Sequence, residues 1–339
     1  MAGIWKRGNY WRAEIRRLGY PQQNRTFDIR ADAEAWARRI ESEMDRGIFV
    51  DRTEAETTSF GDLLKRYAEE ISPHKKGRDG EILRIRKLRT DKLAEYKISA
   101  LTSKVIAEYR DARLRLVTGS TVNRELTLIG HVITIARKEW GIPLEVNPVS
   151  LIRRPKENRS RARRLSSAEE KRLLDELAPS PRDENGCFEP GGCRNEWVLP
   201  AVILAIESAM RRSEILALSW PDVFLDERFV RLHDSKHGEA RDVPLSTRAA
   251  ATLSALARQT EGQVFPITGE ALKKAFTRAC ERAGIENLHF HDLRHEATSR
   301  LATRLDNILE LSAVTGHKTV QMLKRYYHPH ATDLAKKLG

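Results

Sequence analysis

The sequence predicts a mainly α-helical protein with small β elements, an α+β architecture divided into several parts. Apolar residues recur at helical spacing through most of the 339 residues. Residues 4–29 instead alternate between apolar and polar, and two short strand-like runs stand near residues 229–245. A chain of this length is too long for one ordinary compact domain. We therefore expect a small β-sheet with one helix, a four-helix unit, and a mostly helical unit containing a β-hairpin.

Residues 1–50 are predicted to form the sheet and its helix. Trp11 and Ala13 alternate with charged neighbours, and the Gly-Tyr-Pro run at residues 19–21 is typical of a turn. Asp32 is predicted to cap the following helix, and Gly47 to end it. A polar stretch at residues 51–59 without periodicity then separates this module from the next one.

Residues 58–147 are predicted to form four helices. Ser59 and Asp62 have the spacing of a capping box ahead of an apolar stripe that extends to Ile71. Further helical patterns cover residues 80–93, 102–116 and 120–140, and Gly141 and Pro143 follow the last of them. The whole segment is therefore read as a helical unit.

Residues 148–164 read as a basic connector. Two prolines interrupt the segment, which has no apolar period, and seven arginines or lysines lie between residues 147 and 164. The simple interpretation is a solvated linker. We favour a second interpretation, in which the segment follows a phosphate backbone between two domains bound to one duplex.

Residues 165–339 are predicted to form the mostly helical unit. Ser166 and Glu169 fit another capping box at its start. Residues 229–233 and 242–245 are strand-like and flank a polar tip at residues 236–239, which indicates a hairpin.

The charge balance predicts an anionic partner. The chain has 60 Lys and Arg against 48 Asp and Glu, a formal net charge of +12. The longest apolar stretch, residues 197–206, is too short to span a bilayer, and early basic residues interrupt any signal-peptide pattern. We therefore expect a soluble intracellular protein with no membrane partner. Nucleic acid is the anionic partner that remains.

The three cysteines, Cys187, Cys193 and Cys280, argue against a disulfide framework because they are few and odd in number. Two of them lie in a Gly-rich loop without a nearby second pair of ligands. A plain surface loop is therefore favoured over a zinc site.

Four local patterns in the last unit are candidates for chemistry. They are an arginine pair at residues 211–212 between two apolar helices, Lys236 at the hairpin tip, a histidine-rich run at residues 289–295, and a Gly-His pair followed by two tyrosines at residues 316–328. Each alone has an ordinary structural explanation, such as a helix junction, a surface lysine or packing tyrosines. A metal site is disfavoured because Arg294 would share a helix face with His291 and repel a divalent cation.

In this order and at these separations, the four patterns resemble those of the tyrosine recombinase, or phage integrase, family. The run Met-Arg-Arg-Ser-Glu at residues 210–214 is similar to the family's first arginine motif, which assigns the catalytic role to Arg211 rather than Arg212. Lys236 matches the hairpin lysine, and the Gly-His motif falls on His317. The Arg-Tyr-x-His motif puts the nucleophile at Tyr326. Tyr327 is the alternative, one residue out of the family spacing.

The His-x-x-Arg motif of the family falls on His291 and Arg294. The resemblance implies that the arginines and His317 stabilise a phosphate, that His291 assists as a base or orienting group, and that Lys236 protonates the leaving 5′ oxygen. The product would be a 3′-phosphotyrosine link, which needs no cofactor and no metal because the ester keeps the energy of the broken bond.

The resemblance also implies a cellular setting. The partner would be double-stranded DNA with specific recombination sites, bound by a homotetramer with possible accessory DNA-bending proteins, in the cytoplasm of a bacterium and encoded by a phage or mobile element. Residues 1–50 resemble an arm-type DNA-binding module and residues 58–147 a core-binding domain, with some likeness to shufflon-inverting recombinases. The alternatives are a non-catalytic DNA-binding regulator and a type IB topoisomerase.

Overall fold

The computed structural model describes residues 2–158, 161, 163–233, 240–256, 261–305, 307–326 and 335. The chain divides into two compact units, Met1–Arg159 and Ser160–Gly339. Helices dominate the described residues, and each unit contains one three-stranded antiparallel sheet. The predicted fold class is therefore confirmed. None of the helices in the described ranges combines the length and apolar character needed to cross a bilayer.

The first unit begins with the predicted small sheet and helix. The sheet consists of β1 (Gly3–Arg7), β2 (Tyr10–Ile15) and β3 (Gln23–Phe27), and α1 (Arg30–Asp45) packs against it. The predicted cap at Asp32 is wrong. The N-cap is Ile29, three residues before the predicted position, and Asp32 lies in the first turn of the helix. Its carboxylate is there near the positive end of the helix dipole.

The remainder of the first unit is helical. Its helices are α2 (Thr53–Thr57), α3 (Phe60–Glu70), α4 (Arg78–Arg89), α5 (Ser103–Leu114) and α6 (Gly119–Lys138). The predicted capping box between Ser59 and Asp62 is present, because each side chain bonds the other residue's backbone N–H. The apolar stripe of α3 is buried in a core shared with α4, α5 and α6. Burial of these stripes stabilises the unit.

The second unit carries the candidate catalytic patterns. Its helices are α7 (Ser167–Leu177), α8 (Val198–Ser208), α9 (Arg212–Leu216), α10 (Thr247–Ser254), α11 (Gly269–Arg282), α12 (Phe290–Ala302), α13 (Ile308–Thr315) and α14 (Val320–Leu323). Its sheet is β4 (Val223–Phe224), β5 (Phe229–Leu232) and β6 (Arg241–Pro244). The last two strands were predicted. The first was not, because two residues are too few to show an alternation.

Two features of this unit position the site. Helix α8 is apolar on all sides and packs against α12, so both helices run through the core. The loop between α7 and α8 lies at the surface with Cys187 exposed, while the Cys193 thiol is buried and donates to the Asn195 carbonyl.

Candidate active site

The junction between α8 and α9 determines where Arg211 points. Ala209 has a left-handed backbone conformation, with φ of +56°, which ends α8 abruptly. Arg211 is then the N-cap residue of α9, and its backbone N–H donates to the Glu214 carboxylate at 2.8 Å. Its guanidinium donates to the same carboxylate at 2.6 Å, whereas Arg212 is exposed. The two adjacent arginines therefore have different surroundings.

Glu214 is a buried carboxylate shared by two guanidiniums. Its second partner is Arg241 of β6, whose Nη2 donates to Oε2 at 2.8 Å. Burial by itself would raise the pKa of Glu214, but the hydrogen bonds from Arg241 and Arg211 outweigh it and the pKa is lowered. The sequence analysis named neither Glu214 nor Arg241 as a site residue. The spacing of three residues between Arg211 and Glu214 was the available signal, since it allows a contact across one helical turn.

The glycine of the Gly-His motif allows α13 to approach Arg241. Gly316 ends α13 with φ of +67°, a conformation that favours glycine. A β-carbon at this position would lie 2.8 Å from the Arg241 guanidinium carbon. Any larger residue would therefore push the Arg241 guanidinium away from the turn that carries His317.

Arg294 lies on α12 and is almost fully buried, with 4 % of its surface exposed. Its guanidinium donates to the carbonyl oxygens of Ala209 and of Thr315, the latter at 2.7 Å. Burial, and then the nearby charge of Arg211, lower the pKa of Arg294 to about 10. None of the described residues forms a direct ion pair with Arg294. A buried guanidinium without its own carboxylate stabilises an anion that enters its vicinity.

His317 contacts Arg294 on one side and Thr315 on the other. Its Nδ1 is 2.7 Å from the Thr315 hydroxyl, and its Nε2 is 3.4 Å from an Arg294 nitrogen. Burial, followed by the charges of Arg294 and Arg211, lowers the pKa of His317 to about 3. The imidazole is therefore neutral at neutral pH.

Tyr326 is within reach of this group and hydrogen bonds a histidine that the sequence analysis did not select. Its hydroxyl bonds Nδ1 of His295, and the two rings stack with centroids 5.8 Å apart. Burial raises the pKa of Tyr326, against the opposing effect of Arg325 and Arg294. Burial, and then Arg325, lower the pKa of His295 to about 4, so this ring is neutral and its Nδ1 can accept a proton. The available signal was the position of His295 beside Arg294, one turn after His291.

His291 is at the open edge of the group. Its ring lies 5.1 Å from the ring of His295 in an edge-to-face arrangement, and part of it reaches solvent. The surrounding protein, and then the Arg294 charge, hold the pKa of His291 below its ordinary value. Lys236 and Tyr327 lie outside the described residues. The structure therefore brings the five described candidate residues into one region of the second unit: Arg211, His291, Arg294, His317 and Tyr326.

Comparison with known proteins identifies this arrangement. The model of the phage integrase family matches residues 163–333, about half of the chain. The chain is also 38 % identical over 289 residues to a shufflon-specific DNA recombinase of Escherichia coli, covering 83 % of this chain and 71 % of the relative. The chain belongs to the phage integrase family. It is a tyrosine site-specific recombinase, an enzyme that breaks and rejoins DNA.

Another relative and two solved structures also match most of the chain. A putative integrase/recombinase of Haemophilus influenzae is 30 % identical and covers 99 % of this chain and 89 % of its own length. A lambda integrase dimer bound to a core site has a TM-score of 0.65 at 18 % identity and covers 96 % of this chain and 94 % of its own. An integrase of the transposon Tn1549 gives the same TM-score at 15 % identity, over 83 % and 99 % of the two chains. These two structures share the fold of the recombinase.

Three arginines at the end of the connector form a second group, the connector arginines Arg161, Arg163 and Arg164. Each pairs with a carboxylate in the second unit of the recombinase, and Arg300 shares one of these carboxylates, that of Glu296, with Arg164. Arg161 pairs with Asp292 at 2.9 Å, and Arg164 pairs with Glu296 at 2.6 Å. Arg163 pairs with Glu169. The sequence analysis considered a solvated linker and a phosphate-following segment. At the described end of the connector, these three arginines form ion pairs within the second unit.

Proposed function

We propose that this recombinase cuts one DNA strand by attack of the Tyr326 hydroxyl on a backbone phosphate, which is held by Arg211 and Arg294. The observation that carries the proposal is the position of the Tyr326 hydroxyl beside an excess of buried positive charge. We call Arg211, Arg241 and Arg294 the site arginines. Among the residues that the structure describes, a single carboxylate, that of Glu214, bonds to any of these three guanidiniums.

The excess charge supports the phosphate part of the proposal. A phosphodiester gains negative charge on its non-bridging oxygens as phosphorus becomes five-coordinate. Arg211 and Arg294 remain charged at neutral pH, and their planar forks match two phosphate oxygens. Neutral His317, in the tautomer that carries its proton on Nε2, would add a donor to the same oxygens. The negative charge of an entering phosphate would also compensate the excess positive charge of the site arginines.

The nucleophile requires a proton acceptor, because burial raises the pKa of Tyr326 above the ordinary 10.0. His295 is placed for this task, since its neutral Nδ1 already bonds the hydroxyl. The sequence analysis gave His291 a role as a base or an orienting group. We propose the second of these, in which His291 orients His295 through the contact between the two rings.

The proposed reaction exchanges one phosphate ester bond for another. The Tyr326 oxygen forms a bond to phosphorus, and the bond from phosphorus to the 5′ oxygen breaks. By resemblance to the family, Lys236 gives its proton to the departing oxygen. The products are a 3′-phosphotyrosine ester and a free 5′ hydroxyl, and the reverse reaction with a new 5′ hydroxyl completes the exchange without a cofactor.

The partner in this proposal is double-stranded DNA that contains specific recombination sites. The net charge of +12 supports a polyanionic partner. A lambda integrase structure of TM-score 0.61 is a tetramer bound to a Holliday junction. We propose the same homotetrameric assembly here, with residues 1–50 as an arm-type module, residues 58–147 as the core-binding domain and residues 165–339 as the catalytic domain. Accessory DNA-bending proteins would assist it inside the bacterial cell.

Covalent capture on nicked DNA tests the proposal. Purified protein is incubated with duplexes that carry a randomised core and scattered nicks, so that the short cleaved strand diffuses away and the covalent state accumulates. The complexes are then denatured in detergent and the retained DNA is sequenced. We expect capture by the wild type and by Tyr327→Phe, and none by Tyr326→Phe.

Two results would overturn the proposal. Capture that persists in Tyr326→Phe and disappears in Tyr327→Phe would move the nucleophile by one residue. Reversible DNA binding by all three proteins without any covalent capture would favour the DNA-binding regulator. A relaxation assay on a supercoiled plasmid that lacks the captured site separates the remaining alternatives. A topoisomerase would relax this plasmid, whereas a site-specific recombinase would not.

A further inference from the structure

The residue before the proposed nucleophile is tied to the start of the second unit. Arg325 donates from Nη2 to the backbone carbonyl of Arg161 at 2.8 Å. The same guanidinium lies over the Tyr326 ring, 4.9 Å from its centroid. The carbonyl of Arg161 is therefore one hydrogen bond away from a group that packs on the nucleophile.

The side chain of Arg161 is fixed to the beginning of α12. Its guanidinium bonds both oxygens of Asp292, at 2.9 Å and 3.2 Å, and also the side-chain oxygen and the carbonyl of Asn287, at 3.0 Å and 2.6 Å. Asp292 is 2 % exposed and also accepts from the backbone N–H of His289 in a capping box. Four hydrogen bonds therefore hold the Arg161 side chain, and two of them go to the deeply buried carboxylate of Asp292.

These two sets of contacts meet at a single residue. Through its side chain, Arg161 contacts the first turn of α12, the helix that carries His291, Arg294 and His295. Through its carbonyl, it contacts Arg325, the neighbour of the nucleophile. It also stands two residues after Arg159, where the first compact unit ends. Arg161 therefore contacts both the helix that carries three of the candidate site residues and the segment that carries the proposed nucleophile.

We propose that Arg161 is a positioning residue that holds the Arg325–Tyr326 segment against α12, so that a displacement of the connector changes the position of the nucleophile. The proposal rests on Tyr326 being the nucleophile. A bidentate guanidinium–carboxylate pair fixes orientation as well as distance, which suits a positioning task. A displacement of the nucleophile by about 1 Å is enough to cost on the order of 10²-fold in rate.

The competing role for Arg161 is that of a phosphate contact, which the basic composition of the connector suggested. The two roles separate in measurement. A positioning residue affects the rate of the covalent step at saturating DNA, whereas a phosphate contact affects affinity and the dependence of affinity on salt.

The test compares Arg161→Ala with the matched control Arg163→Ala. Both remove one connector arginine, but the Arg163 side chain pairs with Glu169 at the start of α7, away from Tyr326. The rate of covalent complex formation is measured in a single turnover on saturating nicked DNA, and affinity is measured at several salt concentrations. We expect Arg161→Ala to lower the rate about 10- to 100-fold with an affinity within about threefold of the wild type. Arg163→Ala should leave both within about threefold.

A double variant tests the path through Arg325. If Arg161 acts by holding Arg325, the double variant Arg161→Ala/Arg325→Ala should be no slower than the slower single variant. Additive losses would overturn the proposal. Arg161→Lys should not restore the rate, because one ammonium cannot bond Asp292 and Asn287 as the planar fork does. Full recovery in Arg161→Lys would show that charge alone matters.

The outcomes also separate this inference from the proposed function. A wild type that forms no covalent complex overturns the function of Tyr326 and the inference together. An active wild type with an unchanged rate in Arg161→Ala overturns only the inference. Weaker binding with a smaller salt dependence and a normal rate at saturation assigns Arg161 to a phosphate. Thermal unfolding of each variant excludes a general loss of structure.

Discussion

The second unit holds two groups of arginines that look alike in the sequence and differ in their partners. Each connector arginine pairs with a carboxylate, one of which, Glu296, also pairs with Arg300. Of the three site arginines, Arg211 and Arg241 share Glu214, and Arg294 bonds only to carbonyl oxygens and His317 within the part of the chain that the structure describes. Because both groups lie in a basic protein, composition cannot separate them. The local charge balance separates them, since each connector arginine faces a carboxylate, whereas the site arginines keep an excess of positive charge.

The largest expected effect comes from removing a site arginine. Arg294→Ala should lower the rate of covalent complex formation by about 10³-fold or more, because a charged donor to the phosphate is lost. Arg164→Ala, which removes a neutralised arginine, should change the rate by no more than about threefold. Single-turnover capture on nicked DNA measures both. Similar losses in the two variants would show that the charge balance does not distinguish the groups.

The next effect concerns the shared carboxylate. Glu214→Gln leaves Arg211 and Arg241 buried without their anion, which should lower the free energy of unfolding by about 3–5 kcal/mol. Glu169→Gln, at a partly exposed connector pair, should cost about 1 kcal/mol, because the amide oxygen still accepts the cap bond. Denaturant unfolding compares the two. Equal losses would contradict the view that Glu214 is the carboxylate that compensates the charges of Arg211 and Arg241.

The smallest effect is a difference in acid sensitivity. Since the pKa of buried His317 is lowered from 6.5 to about 3, its contribution to stability is complete above pH 6.5 and is lost as the pH falls toward 3. The loss is at most ~1.4 kcal/mol per pH unit for one histidine. The pKa of Glu169 is lowered by Arg163 from 4.5 to about 2, so the contribution of that pair is lost only below pH 4.5.

Thermal unfolding between pH 6.5 and 4.5 therefore reports on the site and not on the connector pair. His317→Asn should lose less stability than the wild type over this range, while Glu169→Gln should follow the wild type. Parallel curves for all three proteins would mean that burial and the site arginines do not hold His317 neutral.

Much of the fold followed from local patterns. The apolar stripes predicted the helices of both units, and the capping boxes at Ser59 and Ser166 predicted two helix starts to the residue. Those signals are local, because a cap and a stripe involve residues a few positions apart. The prediction of Asp32 as a cap was wrong because α1 begins soon after the end of β3, and the position of a neighbouring element is not a local signal.

The candidate site shows the same limit. Arg211, Arg294, His317 and Tyr326 were selected from motif spacing, and the structure brings their side chains into one region. Glu214, Arg241 and His295 were not selected as site residues. Arg241 meets Glu214 across 27 residues and His295 meets Tyr326 across 31, so the contacts exist only after folding. The pairing of the connector arginines was hidden for the same reason.

The central claim is that Tyr326 carries the DNA, and the most direct test is to locate the bond. The covalent complex is formed on nicked DNA, digested with nuclease and protease, and the peptides are sequenced by mass spectrometry. The account predicts a residual nucleotide on Tyr326, on a peptide that starts after Arg325, and none on Tyr327. A nucleotide on Tyr327, or on any residue other than Tyr326, would contradict it.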